Sequence, residues 1–94
     1  MDLKQAFGIA LRRYRHFRGL TQEDFALVSS RTYISMLERG EKSPTLEKID
    51  ALAEELRIDP CTLVTLALAL KLDRAPDEIL RTVEAELELL ESSS

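Results

Sequence analysis

One cysteine, one histidine and no tryptophan leave this 94-residue chain with few reactive groups. The single thiol, Cys61, excludes an internal disulfide and a cysteine-built metal site. His16 alone supplies neither a metal cluster nor a catalytic base with partners. No nucleophile, base and orienting group stand together, and there is no glycine-rich phosphate loop. An enzyme is therefore not expected, nor a cofactor or metal. Only three glycines and five aromatics are present, which suits a small helical core of Leu, Ile and Ala. No alternating strand pattern and no internal repeat stand out. No apolar run reaches the roughly 18 residues that cross a bilayer. The most apolar stretch, residues 61–72, is too short. The start, MDLKQAFGIALRRYR, lacks the basic, apolar and small-residue order of a signal peptide. The expected compartment is the cytoplasm.

Basic charge is also scarce overall. The net charge is −4, which at first argues against a nucleic-acid partner. Its distribution argues the other way. Residues 1–42 carry eight Lys/Arg against five Asp/Glu, and residues 43–94 carry five against twelve. Binding phosphates requires a local basic face rather than a basic protein. Arg12, Arg13, Arg15, Arg18, Arg31, Arg39 and Lys42 all fall in the first part.

Helical signals fill the chain. Asp2 and Gln5 form a capping box. Leu3, Phe7, Ala10, Leu11, Tyr14 and Phe17 then recur at spacings of three and four, a helix of about 15 residues ended by Gly19. Thr21 opens a second helix, with Asp24 placed to reach back to it and Phe25, Ala26 and Val28 as its apolar residues. Ser29 or Ser30 opens a third, which carries Ile34 and Leu37 inward and stops at Gly40. A loop follows, then Thr45 caps a fourth with the stripe Leu46, Ile49, Leu52, Ala53 and Leu56. Asp59-Pro60 starts a fifth, with proline at the first helical position. This fifth segment, from Leu63 to Leu72, is apolar nearly all round, which calls for cover on more than one side. Pro76 starts a sixth, with Ile79, Leu80, Val83, Leu87 and Leu90 as its stripe and acidic residues outside. Ser92-Ser93-Ser94 reads as a frayed tail.

The stretch TQEDFALVSSRTYISMLERG, residues 21–40, is the most informative. Two short helices joined by a tight turn, the second with Arg31, Thr32, Ser35 and Met36 on or near its outer face, follow the plan of a helix-turn-helix DNA reader. The segment resembles the phage-repressor-like (XRE-type) helix-turn-helix regulators. The resemblance rests on Arg18-Gly19-Leu20-Thr21-Gln22-Glu23, Ala26, Arg31-Thr32-Tyr33-Ile34-Ser35, Glu38-Arg39-Gly40 and Ser43-Pro44-Thr45-Leu46, and runs from about Leu3 to Leu66. There is one departure. Only Leu27-Val28-Ser29-Ser30 separate Ala26 from Arg31, two residues fewer than usual, and the turn glycine is missing. The first helix or the turn must be shortened.

The resemblance implies an all-α fold: a five-helix, lambda-repressor-like DNA-binding domain over residues 1–72, followed by an acidic C-terminal helix over residues 73–94. It implies base contacts from Arg31, Thr32, Ser35 and Met36 in the major groove. DNA backbone contacts are expected from Arg18, Gln22, Tyr33, Arg39, Lys42 and Ser43. Gln22 is placed by the N–H groups and dipole at a helix start. Tyr33 reads equally well as a phosphate contact or as packing against Phe25. Arg15 and Glu38 are expected to form an ion pair locking two helices. Tyr14 and Phe17 read as core, His16 as a solvated side chain and Cys61 as inert packing.

The function implied is sequence-specific binding to double-stranded DNA as a transcriptional regulator, a repressor acting as a homodimer. The excess apolar surface of the last two helices points to Leu66, Leu70, Leu80, Val83, Leu87 and Leu90 as the dimer interface. Folding of the last helix back onto its own neighbour is the alternative. Three other readings stay open: a DNA-binding antitoxin with a toxin partner, a restriction–modification controller protein, and a protein-interaction module that no longer binds DNA.

Overall fold

A computed structural model of the chain describes residues 1–93. Five α-helices and one turn of 3-10 helix make up the described residues, with no strand among them. In chain order these are α1 (Leu3–Phe17), the 3-10 turn (Gln22–Phe25), α2 (Arg31–Glu38), α3 (Leu46–Leu56), α4 (Pro60–Leu72) and α5 (Pro76–Ser92).

Local chemistry sets most of the helix ends. Asp2 accepts from the Gln5 N–H at 2.8 Å, and the Gln5 side chain accepts from the Asp2 N–H at 2.9 Å. Ser30 and Thr45 cap α2 and α3 through their hydroxyls, and Asp59 caps α4 ahead of Pro60. Gly19 and Gly40 lie at φ of 70° and 75°. Each closes a Schellman turn: Leu20 N–H reaches Arg15 O at 2.9 Å, and Glu41 N–H reaches Met36 O at 2.9 Å.

The same turn ends α3, but there Arg57 holds the left-handed position, at φ 60°. Ile58 N–H closes it onto Ala53 O at 3.0 Å. A side chain at such a φ is strained, whereas glycine is not. Arg57→Gly is expected to stabilise the fold by about 0.5–1 kcal/mol, read from the midpoint of urea unfolding. An unchanged or lower midpoint contradicts it.

The core is built from Ala6, Phe7, Ala10 and Leu11 of α1, Phe25, Ile34 and Leu37 of the motif, Leu52, Ala53 and Leu56 of α3, and Leu63 and Ala67 of α4. α4 is the central strut. It packs against α1, α3 and α5, which is the multi-sided cover its all-round apolar sequence demands. Several stripe residues end outside the core: Leu3, Phe17 and Leu46 are exposed, Phe17 at 73%. They sit at helix ends, where the stripe runs past the packed neighbour. Cys61 is exposed rather than packed, on the wall of the hollow it shares with Pro76 and Leu80. Its thiol is pushed up by the hydrogen bond and charge of Asp59, which disfavours the reactive thiolate.

α5 meets the rest of the molecule only near its start. Ile79 is buried against α4, but Leu80, Val83, Leu87 and Leu90 remain 44–69% exposed. The helix therefore does not fold back along its own α4. The serine tail also differs from expectation. Ser92 belongs to α5 and bonds Glu88 O at 2.7 Å, Ser93 caps the helix, and Ser94 lies outside the described residues.

Candidate nucleic-acid interface

The two-residue deficit falls on the first helix of the motif. It shrinks to one 3-10 turn, Gln22–Phe25. The carboxylate of Asp24 accepts from Thr21 N–H at 2.6 Å and holds its start. The chain then turns tightly, with Val28 and Ser29 N–H both reaching Phe25 O at 2.8 Å. None of residues 26–30 has a positive φ. The missing glycine thus costs nothing, because this shorter path needs no left-handed residue. Lys48 of α3 supplies a clasp: its ammonium donates to Val28 O at 2.8 Å and lies 5.5 Å from the centre of the Tyr33 ring. Tyr33 is half-buried and packs against the core.

α2 turns Ile34 and Leu37 inward to complete burial. What it leaves outside is polar. Arg31, Thr32 and Ser35 share an open cleft with Gln22 and Arg39. Met36 is half-buried and does not line that cleft. Arg31 pairs with Glu23 at 3.0 Å, with both side chains more than 60% exposed. Such an exposed pair is worth at most about 1 kcal/mol, so a base edge can displace it. Arg39 donates to the Ser35 hydroxyl and to Glu41 at 2.7 Å. Lys42 and Ser43 follow, exposed, in the loop to α3, and Lys42 makes no ion pair among the described residues.

α2 is fixed in place by one buried ion pair. Arg15 Nε donates to Glu38 Oε2 at 2.6 Å and Nη2 to Oε1 at 2.9 Å. The third nitrogen, Nη1, donates to Leu20 O at 2.9 Å. Gln22 Nε2 adds 3.2 Å to Glu38 Oε1. A single guanidinium therefore ties together α1, the end of α2 and the lead into the 3-10 turn. The bond to Glu38 raises the Arg15 pKa further above its ordinary value, against the effect of burial.

One cation expected at the DNA side is engaged elsewhere. Arg18 Nε donates to Leu56 O at 2.8 Å and Nη2 to Arg57 O at 3.3 Å, so it caps the C-terminal end of α3. Its guanidinium also lies within 6 Å of the Tyr14 and Phe17 ring centres. Arg13 lines a groove with Tyr14, Phe17 and Leu66, on the α4 side of α1. Gln22 remains at the cleft, but a four-residue 3-10 turn has little of the dipole expected to draw a phosphate to it.

Gly8 and Lys48 carry site geometry that sequence reading missed. α2 crosses α1 so closely at Gly8 that a Cβ there would lie 2.4 Å from Leu37 O. Nothing in the sequence around Gly8 marks a crossing point, since a glycine in mid-helix has no single meaning.

A short helix presented by a helical core, with its inner face buried and its outer face polar, defines a helix-turn-helix DNA-binding fold. The chain belongs to the helix-turn-helix family of transcriptional regulators, whose model matches residues 11–63. It is 39% identical to the transcriptional regulator y4dJ of Sinorhizobium fredii, over 69% of this chain and 87% of that protein. It is 37% identical to the control protein C.SmaI of Serratia marcescens, over 69% of this chain and 80% of that protein. Among solved structures, it is similar to the clp gene regulator ClgR of Corynebacterium glutamicum (28% identity, TM-score 0.71, 92% of this chain and 95% of that one). It is also similar to the restriction–modification controller protein C.AhdI of Aeromonas hydrophila (37% identity, TM-score 0.61, 64% and 94%). The chain is a DNA-binding transcriptional regulator. Among the described residues, no helix is long and apolar enough to cross a membrane.

Proposed function

We propose that this regulator represses transcription in the cytoplasm by binding a two-fold operator as a homodimer, with residues 1–72 reading DNA and residues 73–94 contributing to pairing. The observation that carries the reading half is the cleft shared by Arg31, Thr32 and Ser35 on the outer face of α2. Arg31 at the first position of that helix can grip a guanine with two hydrogen bonds, and the Thr32 methyl can rest on a thymine. Arg39, Lys42 and Ser43 flank the helix at its C-terminal side and Gln22 at its N-terminal side, where phosphates would run. Arg18 and Tyr33 serve internal contacts in this reading, and Met36 lies half-buried outside the cleft.

Two-fold pairing has a functional reason. α2 has only eight residues, about 12 Å of helix, and covers few base pairs. Two copies reading half-sites about one helical turn apart multiply the specificity.

Selection of bound sites from random duplex DNA tests the proposal, because it returns the half-site and its spacing. Against the selected operator, Arg31→Ala is expected to cost about 1–3 kcal/mol and to relax preference at one base pair. Equal losses on operator and random DNA would make Arg31 a phosphate contact. Lys42→Ala is expected to flatten the salt dependence by about one unit of slope with preference unchanged. An unaltered slope removes Lys42 from the interface. The similarity to the restriction–modification controller protein C.AhdI, and to the control protein C.SmaI, favours a second reading, control of a methyltransferase and nuclease gene pair. Selected sites upstream of such genes would decide for it.

A further inference from the structure

We propose that the exposed seam of α5 docks into the groove between α1 and α4 of a second copy, and does not pair with that copy's α5. This deepens the homodimer reading above and rests on it. Leu80, Val83, Leu87 and Leu90 recur at spacings of three, four and three, the a and d positions of a coiled-coil seam. All four are exposed, at 52%, 44%, 58% and 69%. An apolar seam of this length on a small chain needs a partner.

Charge selects which partner. With Leu80 and Leu87 at a, the flanking e and g positions hold Glu84, Glu86 and Glu91. A parallel α5 pair sets Glu86 against Glu91, and an antiparallel pair sets each glutamate position against itself. Both arrangements place like charges along the seam, which opposes pairing. The groove has the opposite sign. Tyr14, Phe17 and Leu66 line it, and Arg13 forms its rim. Phe17 is 73% exposed. Arg13 is exposed and makes no ion pair among the described residues, and the same holds for Glu84 and Glu86. An acidic-edged apolar ridge and a basic-edged apolar groove are complementary.

Seam and groove are also continuous. Leu80 lines the hollow that contains Tyr14 and Leu66, with Asp59 at the start of α4, so the ridge of one copy begins where its own groove begins and the basic edge lies at the Arg13 end. Two copies related by a two-fold axis can then exchange helices reciprocally, each ridge filling the other's groove. The exchange places the acidic helix against α1 and α4 and away from the outer face of α2.

Sedimentation equilibrium of the full chain without DNA tests this. The wild type is expected to be a dimer that weakens as salt rises. Arg13→Glu is expected to raise the dimer dissociation constant about tenfold, and Glu84→Lys with Glu86→Lys to do the same. Combining all three is expected to restore most of the loss, which a purely structural defect would not. Neutralising the seam with Glu84→Gln and Glu86→Gln separates the arrangements: docking into the groove weakens, whereas an α5 pair tightens. A dimer that tightens on neutralisation, or ignores Arg13→Glu, overturns the groove docking and leaves the homodimer standing. A monomeric wild type overturns both. These positions are all exposed, so the variants keep the core intact.

Discussion

Glu38→Ala is expected to cost about 3–5 kcal/mol of folding stability, the range found when one partner of a buried ion pair is removed. The Arg15 and Glu38 side chains are only 10% and 5% exposed. Deleting the carboxylate leaves a guanidinium inside the protein with one remaining acceptor, Leu20 O. Arginine stays protonated in proteins, so it cannot relieve its burial by losing a proton. In a domain of this size, such a loss lowers the melting temperature by more than about 10 °C. Thermal unfolding followed by circular dichroism measures it. A shift of only a few degrees would mean that the pair is wetter than its geometry implies. The double replacement Arg15→Met with Glu38→Leu removes both charges and is expected to recover most of the stability. It is not expected to recover operator affinity to the same extent. The forked bond fixes the end of α2, and so the angle at which Arg31 and Thr32 are presented; apolar packing does not enforce that angle.

Signals contained within a few residues were legible in the sequence. The caps at Asp2, Ser30, Thr45 and Asp59 are side chains bonding to the next turn, so the residue type alone marks them. Gly19 and Gly40 fall where a left-handed residue closes a helix. The ridge of α5 was visible as spacing. Contacts between distant segments were not legible. Arg18 caps α3 from 38 residues away, and Lys48 clasps a turn 20 residues before it. Both are ordinary cations in sequence, indistinguishable from phosphate contacts until the helices are placed. The missing turn glycine announced a shortened motif, but not which part would yield. The 3-10 turn answers that, because it rises more per residue and keeps Phe25 in the core with fewer residues. The outer face of α2 shows the same limit. Periodicity put Met36 beside Ser35, while packing left it half-buried and outside the cleft.

Gly8→Ala separates helix propensity from helix crossing, because the two predict opposite signs. On propensity alone, alanine in place of glycine inside α1 stabilises by about 1 kcal/mol. At this position the added Cβ would lie 2.4 Å from Leu37 O and 2.7 Å from Glu38 O. Both are backbone atoms in the last turn of α2, held by the Schellman turn at Gly40, and cannot swing aside as a flexible side chain does. α2 must move away from α1, and Glu38 moves with it. The expected net result is destabilisation by about 1–3 kcal/mol, the cost typical of overpacking a close contact. Operator affinity is expected to fall further than the unfolded fraction explains, since the displaced element is the one that reads DNA. Urea unfolding and a mobility shift on the selected operator, run on the same preparation, measure both. A variant that is more stable than the wild type and binds as tightly would show that α1 and α2 do not cross at Gly8. The placement of α2 would then rest on the Arg15–Glu38 pair and the burial of Ile34 and Leu37, without a close crossing.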